Sequence, residues 1–390
     1  MTKYVNIGNG AAGASAAAKI RKLDKEGTVD VFTKEDVPFY YRPKLIDYLA
    51  KEVPFEKCIL SGEKWFTDNR INLHMNSEIV SINSEQNEVF TKDGKIFTYD
   101  RLLLAVGANC FVPPIPGADS KKVFTVKDKH DTDRIMELAE SAKSAILIGG
   151  GLLGLETGNS LRKLGLKVKV VEFFPRLLPR QLDIEGAAML GKQLVSMGFE
   201  FYLGKTSEKI ETSGEIMKLT LKSGEVLEGD FIIISAGVRP DLKLAAGIKV
   251  NKGIVVDNYM KTSVENIYGA GDAIEHDGRL YGIWPPAKEQ GEIAGENMVK
   301  PGSKEYKGTL FSHKLKVVGI DLVSMGDIDT DGKLQSEVHK DEKTFVYKKA
   351  VISDGKLAGC IMLGNTDGEK QVAKAISNGS SFGEVKKFFE

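Results

Sequence analysis

One local pattern occurs twice in this chain: an apolar strand, a turn carrying three glycines, and a helix. The first copy is YVNIGNGAAGASAAAKIRKL, the second AILIGGGLLGLETGNSLRKL. Gly8, Gly10 and Gly13 fit G-x-G-x-x-G, and so do Gly149, Gly151 and Gly154. In such a turn one glycine makes the bend, one admits a pyrophosphate close to the backbone, and one lets helix pack on strand. The helix N-terminus then offers N–H donors and the positive end of its dipole to the phosphates. The pattern predicts a strand over Tyr4–Ile7 and a helix over Ala14–Leu23.

The second copy continues into a strand, Val168–Val171, that ends in Glu172. This acid falls about 20 positions after the glycines, where a carboxylate accepts hydrogen bonds from an adenosine ribose. It would also repel a 2′-phosphate, which favours NADH over NADPH. Arg176 and Arg180 weaken that preference, although pairing with Asp183 or Glu185 is their expected use. In the first copy Thr33 occupies the acidic position and Glu35 follows two residues later. Either Glu35 reaches back to a ribose or the ribose is held differently there.

Each half also carries a hairpin, turning at Asp93-Gly94 and at Ser223-Gly224. An apolar strand follows each, RLLLAVGA and FIIISAGVRPD. The repeat is therefore a whole unit, and two units imply two bound dinucleotides. A further landmark is NIYGAGDAIE. Asn266–Tyr268 read as a strand, with Gly271 and Asp272 at its end, where a carboxylate either binds a sugar-like chain or caps a helix.

Bulk properties narrow the function. Length argues for two or three domains among 390 residues. Lys+Arg 54 balance Asp+Glu 54, so the chain is not built as a general nucleic-acid or membrane-surface binder. No run reaches the roughly 18 apolar residues of a membrane helix. Met1-Thr-Lys leads directly into the first strand, which leaves no signal peptide to expect. Three cysteines, Cys58, Cys110 and Cys360, lie far apart with no CxxC pair. The five histidines show no metal spacing. These features point to a reducing, cytoplasmic setting and to no metal site.

The chain resembles the two-dinucleotide-fold flavoproteins that include glutathione reductase-like enzymes. GNGAAG, LLLAVGA, IGGGLLGLE, IIISAGVRPD and IYGAGDA carry the likeness, which runs from Lys3 to about Met298. The resemblance implies an α/β fold with two Rossmann-like domains and a small α+β C-terminal domain. It implies an FAD domain at 1–115 and 246–307, an inserted NAD(H) domain at 116–245, and a C-terminal domain at 308–390 for docking, dimer contacts or a lid. FAD contacts are implied at Gly8, Gly10, Ala12, Gly13, Ala14 and Glu35. Others are implied at Arg42, Pro43, Ile79, Ala105 and Gly107. The ribityl chain falls to Gly271 and Asp272. NADH contacts are implied at Gly149, Gly151, Leu152, Leu153, Gly154, Glu172 and Gly237.

Within that family, PFYYRPKL, RLLPRQLD, WPPAKEQGEIAG and KLKVVGIDLVSMGDI are most similar to NADH:rubredoxin reductases and to the reductase half of assimilatory nitrite reductases. Disulfide reductases keep a C-x-x-x-x-C pair after the first nucleotide-binding strands, and peroxidase and oxidase branches keep one cysteine there. This chain has PFYYRPKLIDYL instead, and Cys58 reads as a buried apolar residue. Without a thiol, electrons leave the flavin singly or go to quinone-like oxidants or dioxygen. By resemblance Arg42, or failing it Lys44, sits near flavin N5 and steadies the reduced ring by charge. Glu156 is expected to pair with one of them. Tyr40 and Tyr41 read as core. A helix is predicted from Pro286, with Trp284 either at the flavin edge or simply packed. The reading is a cytoplasmic NADH:rubredoxin oxidoreductase-like enzyme, monomer or homodimer, with rubredoxin or a similar small iron carrier as partner. Ferredoxin, a nitrite-reductase partner or oxygen are the rival acceptors, and a non-catalytic flavin-binding module is the rival class.

Overall fold

The computed structural model describes residues 1–309, 312–330 and 332–390, with the Ser312–Val317 strand described by its backbone. The side chains of Lys314 to Val317, which open the KLKVVGIDLVSMGDI match, lie outside the described residues. Two compact units are present. The first comprises Met1–Leu45, Val53–Asn109 and Val238–Thr309; the second comprises Ile46–Glu52, Cys110–Gly237 and Leu310–Glu390.

A five-stranded parallel sheet forms the centre of the first unit. Its order is Ile267–Gly269, Arg101–Leu104, Lys3–Ile7, Thr28–Phe32 and Asn72–His74. The central strands are apolar on both faces, as a sheet covered on both sides requires: Val5, Val29, Val31 and Leu102 to Leu104 are all buried. The helix Ala11–Leu23 follows the first strand. It starts three residues earlier than the spacing predicts, because Gly10 itself is the N-cap. Its alanines then take a second helix, Trp284–Val299, at unusually short range. A side-chain carbon added at Gly291 would lie 2.2 Å from the Ala12 carbonyl oxygen, and one at Gly295 would lie 2.6 Å from that of Ala16. Glycine facing alanine is what permits the two backbones to touch.

The second unit repeats the topology. Its parallel sheet runs Val123–Phe124, Phe231–Ile234, Ser144–Ile148, Lys167–Glu172 and Phe199–Leu203. The helix Leu152–Lys163 follows the second glycine turn. Both expected hairpins form, Glu88–Thr91 with Ile96–Thr98 and Ile216–Leu221 with Val226–Gly229.

The C-terminal segment folds as an antiparallel five-stranded sheet, in the order 312–317, Ile320–Gly326, Lys356–Leu363, Val346–Ser353 and Gln335–Asp341. Two of these strands are joined by a turn at Asp354-Gly355, and the helix Glu369–Asn378 follows the sheet. One face of this sheet joins the apolar cluster of the second nucleotide fold through Leu322, Tyr347, Ile361 and Leu363. There Asp183, the N-cap of the Ile184–Ser196 helix, accepts from Tyr347 Oη at 2.6 Å and pairs with buried Lys349 at 3.3 Å. Lys349 also donates to the carbonyls of Ile328 and Asp329, so its buried charge is fully partnered.

Gly291→Ala is expected to destabilise the protein by at least about 2 kcal/mol, since the new carbon meets backbone that cannot rotate away. Chemical denaturation checks this. A midpoint equal to wild type would mean the two helices have room to part.

Candidate functional site

The two glycine turns have matching geometry. Gly8 (φ +111°) and Gly149 (φ +122°) lie so close to the neighbouring strand that a side-chain carbon would sit 2.2 Å from Ala105 O and 2.3 Å from Ser235 O. A carbon at Gly13 would lie 1.8 Å from Gly8 O, and one at Gly154 would lie 2.1 Å from Gly149 O. In front of Gly10 and Gly151, by contrast, there is open space within 4 Å. The first and third glycines thus serve the fold, and the middle one leaves the helix N-terminus accessible. That is the shape a diphosphate needs.

The turns differ in what surrounds them. In the second unit Glu172 is buried at the end of its strand. Its carboxylate accepts from Gly150 N at 2.6 Å and from Phe174 N at 2.8 Å. The extra glycine in IGGGLLG, outside the three-glycine spacing, is the signal for this contact: a carbon on Gly150 would press to 3.2 Å from Glu172 Oε2. Arg176 donates to the carbonyls of Pro179 and Leu182, and Asp183 is occupied by Gly186 N, Tyr347 and Lys349. The expected Arg176–Asp183 pairing is therefore replaced by turn closure. Arg180 is exposed.

In the first unit Gly8 N bonds Phe32 O at 2.8 Å as Gly149 N bonds Val171 O at 2.8 Å. Thr33 therefore stands in the place of Glu172, as its spacing suggests. Its hydroxyl accepts from Glu35 N at 3.2 Å. Glu35 turns toward the Pro38–Leu49 segment instead: Tyr40 Oη donates to its Oε2 at 2.7 Å, and Arg42 forms an ion pair with its Oε1. Arg42 Nη1 also donates to Tyr40 Oη at 2.7 Å. The Arg42–Pro43–Lys44 turn is 3₁₀, and Pro43 takes its second position, where no backbone donor is needed. Lys44 Nζ donates to the Lys57 carbonyl at 3.3 Å.

Glu156 belongs to the second unit. Its carboxylate accepts from Val318 N at 2.8 Å, and burial raises its pKa against that bond. The sequence reading pairs it with Arg42 or Lys44, which belong to the first unit; within that unit Arg42 pairs with Glu35. Tyr40 is buried as expected. Tyr41 is not core: it is 38% exposed and meets Trp284 edge-on at 4.8 Å. Trp284 stacks on Phe39 at 5.7 Å and opens its helix, two residues before the predicted start at Pro286. Cys58 is fully buried, its thiol near the Lys44 carbonyl at 3.8 Å.

Asp272 caps no helix; a short strand, Ile274–His276, follows it. The Gly271 turn is clamped by Gln290, whose Oε1 accepts from Gly271 N at 3.0 Å. That residue is buried on the Trp284–Val299 helix, and the sequence reading missed it. Asp272 accepts no hydrogen bond among the described residues. Burial pushes its carboxyl up to about 6, with the charge of Arg42 pulling the other way. A half-buried carboxylate without donors, beside a turn with an open helix terminus, suits a hydroxyl-rich ligand. Ile79 and Ala105 are buried nearby in sequence to strand ends, and Gly107 and Gly237 turn the chain after the closing strands (φ +73° and +100°). No group of three or more metal-ligating side chains occurs among the described residues. No helix among them is long and apolar enough to cross a membrane.

Comparison with known proteins decides the family. Residues 2–291 match the model of the pyridine nucleotide-disulphide oxidoreductases. The chain belongs to that family. Residues 312–380 match the rubredoxin NAD+ reductase C-terminal domain. The family is one of oxidoreductases that implies use of a flavin and NAD(H), and the two glycine turns fit such groups. Among relatives, a nitrite reductase [NAD(P)H] of Bacillus subtilis is 34% identical over 99% of this chain and 48% of its own length. The chain thus spans about half the length of the curated nitrite reductases it matches. An NADH oxidase of Methanocaldococcus jannaschii is 32% identical over 93% of this chain and 87% of its own. The solved NADH:rubredoxin oxidoreductase of Clostridium acetobutylicum is 27% identical and superposes with a TM-score of 0.83, over 98% of this chain and 96% of that one.

Two outcomes test the site. Gly10→Ala fills open space at an ordinary backbone angle (φ −83°), so apo stability should change by less than about 1 kcal/mol. Flavin affinity should fall at least about tenfold by fluorescence titration. Asp272→Asn should stabilise the apo protein at pH 7 by up to about 3 kcal/mol, because the folded carboxyl titrates near 6 against an ordinary 3.8. The wild-type group favours folding below pH 3.8 and loses that contribution as pH rises through 6. The difference in melting temperature between the two proteins should therefore shrink to nothing toward pH 4.

Proposed function

We propose that the chain takes hydride from NADH onto FAD and passes the electrons one at a time to rubredoxin or a similar small iron protein. The observation that carries this is the Pro38–Leu49 segment. Where thiol-dependent members keep cysteine, this chain places Arg42. The cysteine that follows, Cys58, is fully buried against backbone. A disulfide relay has no residues to run on.

A bound flavin supplies the coupling, accepting two electrons as hydride and yielding them singly. The chain's own residues hold and bias it. The Gly8–Gly13 turn receives the diphosphate, and Asp272 accepts from ribityl hydroxyls, which act as the donors its carboxylate otherwise lacks. Arg42 supplies fixed positive charge. Glu35 and Tyr40 orient the guanidinium, and because arginine does not deprotonate, its charge persists at every working pH. In the second unit Glu172 accepts from the ribose of NADH and disfavours a 2′-phosphate. Phe173 and Phe174, exposed after it, offer flat apolar surface to an adenine. Direct hydride transfer would ask of the chain only that it hold and orient the two groups, with no catalytic acid or base. The C-terminal sheet serves docking or dimer contacts, in keeping with its match to the rubredoxin reductase C-terminal domain. The cytoplasm is the compartment that fits three free cysteines.

Arg42→Ala should lower the flavin midpoint potential by about 30 mV or more, equivalent to about 1.4 kcal/mol for two electrons, and slow reduction by NADH about tenfold. Stopped-flow reduction and a redox titration measure both; unchanged values would remove Arg42 from the reaction. Steady-state turnover separates acceptors. Fast NADH oxidation in air without a carrier would favour an oxidase, and no multiple turnover with any acceptor would leave a binding module.

A further inference from the structure

The C-terminal sheet ends on a strand that contributes almost nothing to its own core. Gln335–Asp341 forms one outer edge of that sheet, and Gln335 to Lys340 are all exposed. The neighbouring strand, Val346–Ser353, is buried from Tyr347 to Ile352. Burial therefore stops one strand short of the edge. Among the described residues no strand pairs with the outer side of Gln335–Asp341, so about half of its backbone N–H and C=O groups point to water. Val338, in the middle of the strand, is apolar and 49% exposed. Alongside runs the Ile184–Ser196 helix, tied to this end of the sheet by the Tyr347–Asp183 hydrogen bond and by a Lys192–Glu342 ion pair at 3.1 Å. Lys192 belongs to an exposed stripe of that helix with Ile184, Ala188 and Val195.

Charged side chains on an edge strand commonly discourage pairing. Here they select one pairing. Set antiparallel to a second copy of itself about a two-fold axis through Val338, the strand places Gln335 against Asp341, Ser336 against Lys340, Glu337 against His339 and Val338 against Val338. No like charges face each other. An axis one residue earlier puts Glu337 against Glu337, and one residue later puts Glu337 against Asp341, both unfavourable. Lys348 lies opposite His339 within the sheet and adds positive charge on the side that meets Glu337. Glu337 already pairs with Lys386 of its own copy at 3.5 Å, yet both side chains are half exposed, so the carboxylate stays open to a second partner. We infer that this edge is a self-association surface at which two copies of the chain join their five-stranded sheets into one. The inference deepens the proposed use of the C-terminal sheet for dimer contacts and needs none of the redox chemistry.

Sedimentation velocity on the full chain tests it. Wild type should show a monomer–dimer equilibrium in the micromolar range. Val338→Lys, which sets two cations face to face at the axis, should weaken that equilibrium at least about tenfold. The same variant should keep the melting temperature of the monomer, since the side chain stands in solvent. Glu337→Lys alone and His339→Glu alone should each weaken the dimer. The variant carrying both should regain part of the loss, because the exchanged charges meet again in the same register. Val338→Cys should form a disulfide between copies on mild oxidation, read as a doubled mass on a non-reducing gel that wild type does not give. A wild-type chain that stays monomeric at about 100 μM would overturn the inference. So would a dimer that Val338→Lys leaves intact, which would place the contact elsewhere. A monomer whose turnover with rubredoxin falls in Val338→Lys would overturn it in favour of an edge that docks the carrier. A dimer of this form in protein that turns over with no carrier would sustain the inference and remove the proposed reaction instead.

Discussion

The close approach of each nucleotide-turn helix to its own strand is the constraint on which the rest depends. Gly13 against Gly8 and Gly154 against Gly149 bring helix and strand to backbone contact. No side chain fits at those points, so the helix N-terminus is set at one height above the strand ends. The groups around each turn are then placed relative to that terminus. Glu172 reaches back to Gly150, Gln290 reaches across to Gly271, and the helix Trp284–Val299 seats on Ala12 and Ala16. The arrangement needs no charge to stabilise it. What charge the two units carry at their turns is therefore free to differ.

It does differ. The second unit holds a buried acid against the turn, neutralised in part by two backbone amides. The first has threonine at that position and sends its acid, Glu35, to hold Arg42. The acid of the second unit binds its own turn, and that of the first orients a cation. The same unit keeps Asp272 without donors among the described residues and lifts it by burial. A site that is unfavourable for its own charges when empty is one that gains from being filled, and this links the energetics of the first unit to its use.

Much of this was legible in the sequence because the signals are local. The hairpins turn at Asp93-Gly94 and Ser223-Gly224, where two residues define the bend. What was not legible depends on a second element. Arg176 looks available for Asp183 along a helix surface, yet the chain there is a turn whose carbonyls it closes. Tyr41 and Tyr40 are adjacent and equally apolar, and only the pairing of Phe39–Tyr40 with Ile59–Ser61 sends one inward and the other out. Gln290 lies within the WPPAKEQGEIAG match, yet nothing in that segment points to Gly271, because this partner is nineteen residues away in the chain.

By itself the sequence determined the repeated strand–turn–helix unit and its hairpins. Each is set by residue type at short spacing, above all glycine where no side chain fits. Only the tertiary structure decided which charges meet. Within the first unit Arg42 meets Glu35, and within the second Glu156 takes the Val318 amide, because such partners are chosen by distance in space after each sheet has closed, and chain spacing does not encode that distance.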